Sequence, residues 1–187
     1  MFIEEIPFTL RDGRQACLRS PRPEDAEMMV DYLIKTSGET DFIMRYPEEW
    51  EGFTAEEEAE VLRQKEESPD TAMLVCVVDG RVAGNCTLQF NRRVKIRHRA
   101  TIAIALLREF WGQGIGTKMF REMIRLAQER EDVLQLELGF IEGNDRARHL
   151  YEKMGFRIVG LNPDAFRLKD GTLLHEYCMI RKMDRGT

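Results

Sequence analysis

The apolar positions of this 187-residue chain change period several times, and each change marks an element. From Thr9 to Arg19 they alternate weakly around the turn signal Asp12-Gly13, which predicts a short hairpin or an opening strand ending at Leu18. Beyond Pro21 and Pro23, Ala26, Met29, Val30 and Leu33 follow the i, i+3, i+4, i+7 spacing of one helix face. Thr54 and Glu57 have the spacing of a capping box, so a second helix is expected from there to about Glu67, stopped by Ser68-Pro69-Asp70. Met73 to Val78, Asp79-Gly80 and Arg81 to Phe90 read as a β-hairpin with a two-residue type I′ loop, and a third strand spans Ala100 to Leu107.

From Gly114 the period lengthens again. Ile115, Met119, Met123 and Ala127 recur every four residues beside Phe120 and Ile124, the pattern of a long amphipathic helix. In Val133 to Phe140, Leu134, Leu136 and Leu138 alternate with Gln135, Glu137 and Gly139, a strand with at least one buried face. Asn144 then caps a helix with Ala147, Leu150, Tyr151 and Met154 on one side and Gly155 at its end. Phe156 to Val159 and Leu173 to Ile180 supply the last strands. The order is strand, two helices, three strands, helix, strand, helix, two strands, which makes an α/β sandwich around a mixed sheet.

Composition narrows the class without changing this picture. With 43% hydrophobic and 33% charged residues, the chain reads as one globular domain over 1–187. Such a domain buries roughly 70% of its unfolded surface. The 28 basic and 33 acidic residues give a net charge of −5, so no nucleic-acid partner is expected. The basic run Asn91 to Arg99 reads first as a solvated hairpin and second as a phosphate contact. Cys17, Cys76, Cys86 and Cys178 sit apart in apolar stretches and read as small buried hydrophobes, and His98, His149 and His175 have no metal-ligand spacing. A charged and apolar leader and an 18-residue apolar run are both absent, so the expected address is cytoplasmic, with no membrane association.

The chemistry concentrates in Phe110-Trp111-Gly112-Gln113-Gly114-Ile115-Gly116-Thr117, where a strand gives way to a helix. Three alternate glycines let the backbone approach a ligand, and the free amides at a helix start favour a phosphate. Glycine turns also serve close strand-to-helix packing. The dinucleotide fingerprint would need glycine where Thr117 stands, and the GxxxxGK phosphate loop is missing.

This turn resembles the glycine loop of the GNAT superfamily of acyl-CoA-dependent N-acyltransferases, Gln/Arg-x-x-Gly-x-Gly/Ala, with Trp111 in place of the first residue. A second stretch, Asn144-Asp-Arg-Ala147-Arg-His-Leu150-Tyr151-Glu-Lys153-Met-Gly155-Phe156, is similar to the family's N-x-x-A-x-x-L-Y-x-K-x-G-F segment. The resemblance is strongest over 102–156. It implies a twisted mixed sheet of about six to seven strands flanked by four helices. It also implies an N-acetyltransferase moving an acetyl group from acetyl-CoA directly to the primary amine of a small molecule. The alternatives are a protein or peptide N-terminal amine as acceptor, or a non-catalytic acyl-CoA-binding module.

The same resemblance implies that Ile104, Ala105 and Leu106 line the pantetheine and thioester. It places the pyrophosphate on the amides of Trp111, Gly112, Gln113, Gly114, Ile115, Gly116 and Thr117, and Asn144 on the pantetheine arm. Each also has a plainer reading, as core or as a helix cap. Tyr151 is either a core tyrosine or the acid that meets the leaving thiolate of CoA. A thiol near pKa ~8.5 and a phenol near ~10 make full proton transfer uphill by about 2 kcal/mol, so hydrogen bonding to sulfur precedes transfer. No nucleophile elbow or cysteine motif argues for a covalent intermediate, so direct transfer is preferred. The base stays open between Glu137, Glu142, His98, His175 and a water relay, and Lys153 between solvent and a CoA phosphate. Asp31, Glu39, Asp41, Glu48 and Glu49 make cationic amines an acceptor class beside protein N-termini. A homodimer is left open.

Overall fold

The computed structural model describes residues 1–184. Asp12-Gly13 does turn a hairpin: strands β1 (Ile6–Thr9) and β2 (Gln15–Arg19) pair antiparallel, with Gly13 at φ 91°. Helix α1 (Ala26–Glu39) buries Ala26, Met29 and Tyr32. Helix α2 (Ala55–Glu67) starts on a closed capping box, in which the Glu57 amide donates to Thr54 Oγ1 (3.2 Å) and the Thr54 amide to Glu57 Oε2 (2.9 Å). Strands β3 (Thr71–Val78) and β4 (Arg81–Phe90) meet at Asp79-Gly80, both at positive φ as a type I′ turn requires. There follow β5 (Arg99–Leu106), α3 (Ile115–Gln128), β6 (Gln135–Ile141), α4 (Asp145–Lys153), β7 (Arg157–Arg167) and β8 (Leu173–Lys182).

The eight strands of the described residues form one sheet in the order β1-β2-β3-β4-β5-β6-β8-β7. Every pairing is antiparallel except β5 with β6. The opening hairpin supplies two strands, which takes the count past the six to seven expected. Asn85 of β4 pairs with Ala105 of β5, and both meet Tyr32 of α1, whereas Ile104 and Leu106 point at Gly116 of α3. The helices α1 and α3 therefore lie on opposite faces. Leu136, Leu138 and Phe140 of β6 face the α3 and α4 side, where Phe120, Phe140, Tyr151 and Phe156 form an aromatic cluster.

Three other expectations need correcting. The strand after Gly155 runs to Arg167 rather than Val159, through Asn162-Pro163-Asp164. Pro163 is tolerated there because β7 is the edge strand and carries a bulge, with Asp164 at φ 52°. Leu134 is 47% exposed, since β6 begins only at Gln135. Cys76 and Cys86 are buried, but Cys17 and Cys178 are only half-buried. The basic run forms a solvated loop between β4 and β5, in which Arg92 pairs with Asp70, and its last residue, Arg99, opens β5 and pairs with Glu137. Among the described residues no helix is long and apolar enough to cross a membrane.

Candidate active site

The parallel pairing of β5 with β6 lasts from Arg99↔Gln135 to Thr101↔Glu137 and then stops. Beyond that rung β5 keeps only β4 as a neighbour, through Gly84↔Leu106, while β6 keeps only β8. The Leu107 amide donates to the Ala83 carbonyl, and alternation along the antiparallel ladder directs the peptide groups of Ala105 toward β4. Those of Ile104 and Leu106 therefore face the gap. The gap opens into a cleft of about 680 Å³, lined by Ile104, Ala105 and Leu106 on one side and by Asn144, Ala147, Leu150 and Tyr151 of α4 on the other. That size suits a small-molecule site.

The glycine turn closes one end of the cleft. Gly112 and Gly114 adopt φ of 77° and 92°, conformations that favour glycine. Helix α3 begins with no side-chain cap, and the amides of Ile115, Gly116 and Thr117 have no acceptor among the described residues. At Gly116 a Cβ would stand 2.9 Å from Leu150 Cδ2, so glycine keeps this side of the cleft clear. The Trp111 indole N–H donates to the Leu106 carbonyl (2.9 Å), tying the turn to the end of β5. Arg146 stacks over the Trp111 ring at 4.7 Å, and Arg11, Arg146 and Lys153 line the cleft. Uncapped helix amides beside guanidinium and ammonium groups are suited to an anion such as a pyrophosphate.

Of the residues singled out from the sequence, Trp111, Gly112, Gly114, Gly116, Thr117, Asn144 and Tyr151 line this cleft with Ile104, Ala105 and Leu106. Gln113 and Ile115 do not. The Gln113 side chain accepts from the Asp12 amide (3.1 Å) and Ile115 is core, so both offer only backbone groups. Asn144 Oδ1 caps α4 by accepting from the Ala147 amide (3.2 Å). Tyr151 is 6% exposed, held by the rings of Phe120 (5.4 Å), Phe140 (6.1 Å) and Phe156 (6.4 Å). Its hydroxyl has no hydrogen-bond partner among the described residues. Burial pushes its phenol above the ordinary value, so it stays protonated.

The base candidates fare differently. His98 precedes β5 at the end far from the cleft. Glu137 is held by Arg99 through two bonds of 2.5 Å; burial alone would raise its carboxyl, but the Arg99 guanidinium and Gln135 amide outweigh this and lower it. Glu142 accepts from the His175 amide (3.3 Å), and His175 Nδ1 accepts from the Asp164 amide (3.0 Å). Among the acidic residues of the first helices, Glu39 binds Arg108, Glu48 pairs with Lys169, and Glu49 accepts from the Tyr46 amide (2.6 Å). Of these three, only Glu48 meets a cation, whereas the Glu39 and Glu49 carboxylates accept from the backbone amides of Arg108 and Tyr46.

Sequence reasoning missed Tyr32. Its buried hydroxyl lies 2.8 Å from Asn85 Oδ1 and 2.9 Å from the Ala105 carbonyl, pinning β5 where it leaves β6. Its place beside Met29 on the apolar stripe of α1 was the available signal. Arg11, Thr40, Phe42 and Ile43 also line the cleft, brought there by loops that carry no local motif.

The acetyltransferase (GNAT) family model matches residues 40–156, more than half of the chain, and the chain belongs to that family. It is 29% identical over 113 residues to the L-amino acid N-acetyltransferase AaaT of Escherichia coli (strain K12), covering 60% of this chain and 69% of that protein. It is 31% identical over 101 residues to a ribosomal protein bS18-alanine N-acetyltransferase assigned in Bacillus subtilis (strain 168), covering 54% of this chain and 63% of that one. Among solved structures, a GNAT-family acetyltransferase from Streptococcus pneumoniae superposes with a TM-score of 0.81 at 28% identity, covering 90% of this chain and 99% of that one. The protein is an acyltransferase of a family that uses acetyl-CoA.

Proposed function

We propose that this protein transfers an acetyl group from acetyl-CoA directly to the primary amine of a small molecule, with α-amines of amino acids as the first class to test. The observation that carries the reading is the coincidence, in one cleft, of the uncapped α3 terminus, the unpaired edge of β5 and the unpartnered Tyr151 hydroxyl. The α3 amides with Arg146 and Lys153 would hold the pyrophosphate, and the peptide groups of Ile104 and the amide of Leu106, whose carbonyl is taken by Trp111, would run along the pantetheine. Acetyl-CoA, when bound, supplies an activated acyl group on a thiol leaving group. Tyr151, kept protonated by burial, would donate to the sulfur, and the Leu106 amide would polarise the thioester carbonyl. The amino-acid class rests on the likeness to AaaT, and the likeness to an alanine N-acetyltransferase supports a peptide N-terminus as second reading. The test is CoA release from acetyl-CoA with L-amino acids, polyamines, aminoglycosides and an alanine-leading peptide. Strong turnover of an amino acid is expected; turnover of the peptide alone would select the second reading, and none at all would contradict both.

A further inference from the structure

On the α1 and α2 side of the sheet, those helices pack against β4 and β3, and Thr101 and Ala103 of β5 and Gly139 of β6 are exposed. Register fixes what else shares that face. Thr101 and Ala103 alternate with the residues that face α3, as Ala105 does. The rung Thr101↔Glu137 then brings Glu137 and Gly139, and the pairs Gly139↔Cys178 and Ile141↔Glu176 bring Cys178 and Glu176.

Gly139 lies two residues past the last β5 to β6 rung, where the gap has opened. A Cβ there would stand 2.3 Å from Glu176 Oε1 and 3.0 Å from its Cδ, so the carboxylate occupies the space over the glycine. Glu176 is half-buried, and its carboxylate has neither a hydrogen-bond donor nor a cation among the described residues. A carboxylate in that setting gains a charge-assisted bond from any ammonium that reaches it. Phe140, the next residue, points the other way and meets the Tyr151 ring, so Glu176 and Tyr151 flank the gap from opposite faces.

We propose that Glu176 receives the ammonium group of the acceptor at the mouth of this gap and takes its proton. The assignment rests on the acetyl-transfer reading above. One ammonium proton passes to the Glu176 carboxylate, and the freed amine nitrogen bonds to the acetyl carbonyl carbon as the C–S bond breaks. The nitrogen loses its second proton and the departing sulfur gains one, hydrogen-bonded by Tyr151. Glu176 returns its proton to solvent, so each amide formed releases one proton.

Two variants test this, on the full-length protein with the best acceptor among the L-amino acids and the alanine-leading peptide. Glu176→Gln is expected to lower kcat/KM for the acceptor by about 10²-fold, the scale of a general base. It should also raise the calorimetric Kd of the acceptor for CoA-saturated protein while leaving the Kd of acetyl-CoA unchanged. Gly139→Ala displaces the carboxylate without removing it, and should lower the same kcat/KM in the wild-type background but cause no further loss in the Glu176→Gln background. Wild-type kcat/KM and acceptor Kd in Glu176→Gln, or full additivity of the two substitutions, would overturn the assignment alone. A wild-type protein that binds acetyl-CoA yet acetylates none of these amines would overturn the acetyl-transfer reading and this assignment with it.

Discussion

At the scale of single residues, packing sets the position of Tyr151, the residue proposed to meet the leaving sulfur. Three aromatic rings fix its position, so the hydroxyl is not needed to hold the ring, and Tyr151→Phe should leave the thermal midpoint unchanged. Because burial raises its phenol above the free value of about 10, Tyr151 should contribute no falling limb to a pH–rate profile below about pH 10. A limb present in wild type and abolished in Tyr151→Phe would contradict that. Asp25 is the opposite kind of residue. It is 4% exposed, and burial alone would raise its carboxyl. Arg19, at 2.5 and 2.8 Å, and the Arg22 amide outweigh burial and lower it instead. A depressed folded-state pKa stabilises above the unfolded value and is lost as pH falls through the folded one. Asp25→Asn, which leaves Arg19 without its anion, should therefore cost about 3 kcal/mol in denaturant unfolding at pH 7. The difference from wild type should shrink below about pH 4.

At the scale of elements, the start of α3 carries the uncapped amides of the proposed donor site. Gly116→Ala puts a Cβ 2.9 Å from the tip of Leu150, a flexible neighbour that can move, so stability should change by less than about 1 kcal/mol. The same methyl meets Leu150, Ile104 and Leu106, all of which line the proposed donor cleft, and the Kd of acetyl-CoA should rise about tenfold by calorimetry, or about 1.4 kcal/mol. The glycine turn and the Asn144 to Phe156 segment were legible from sequence because each is local: cap, stripe and terminating glycine lie within one helix and its flanks. The second half of β7 was not, because Asn162-Pro163-Asp164 is a turn signal that an edge bulge overrides. Leu134 kept the strand's alternation but stands one residue before the ladder starts. Tyr32 and Glu176 escaped for a tertiary reason: their partners, Ala105 and Gly139, are brought to them only by strand register.

At the scale of the whole molecule, the sheet is continuous but incompletely zipped. Its single parallel pair is short, β4 and β8 hold the outer sides of β5 and β6, and Tyr32 and Trp111 anchor the Ala105 and Leu106 carbonyls. These bonds hold the two sides of the cleft in place. Acetyl-CoA at about 100 times its Kd should stabilise the protein by about 2.7 kcal/mol, seen as a rise in thermal midpoint. The stabilisation should fall to about half, about 1.4 kcal/mol, in Gly116→Ala at the same concentration. The central claim is that this cleft moves an acetyl group to an amine with Tyr151 meeting the leaving sulfur. Its most direct test is the rate at which label from radioactive acetyl-CoA appears on an α-amine, in wild type against Tyr151→Phe, both saturated with acetyl-CoA. Labelled amide formed by wild type and about 10²-fold more slowly by the variant is the expected result; equal rates, or no label on any amine, would contradict it.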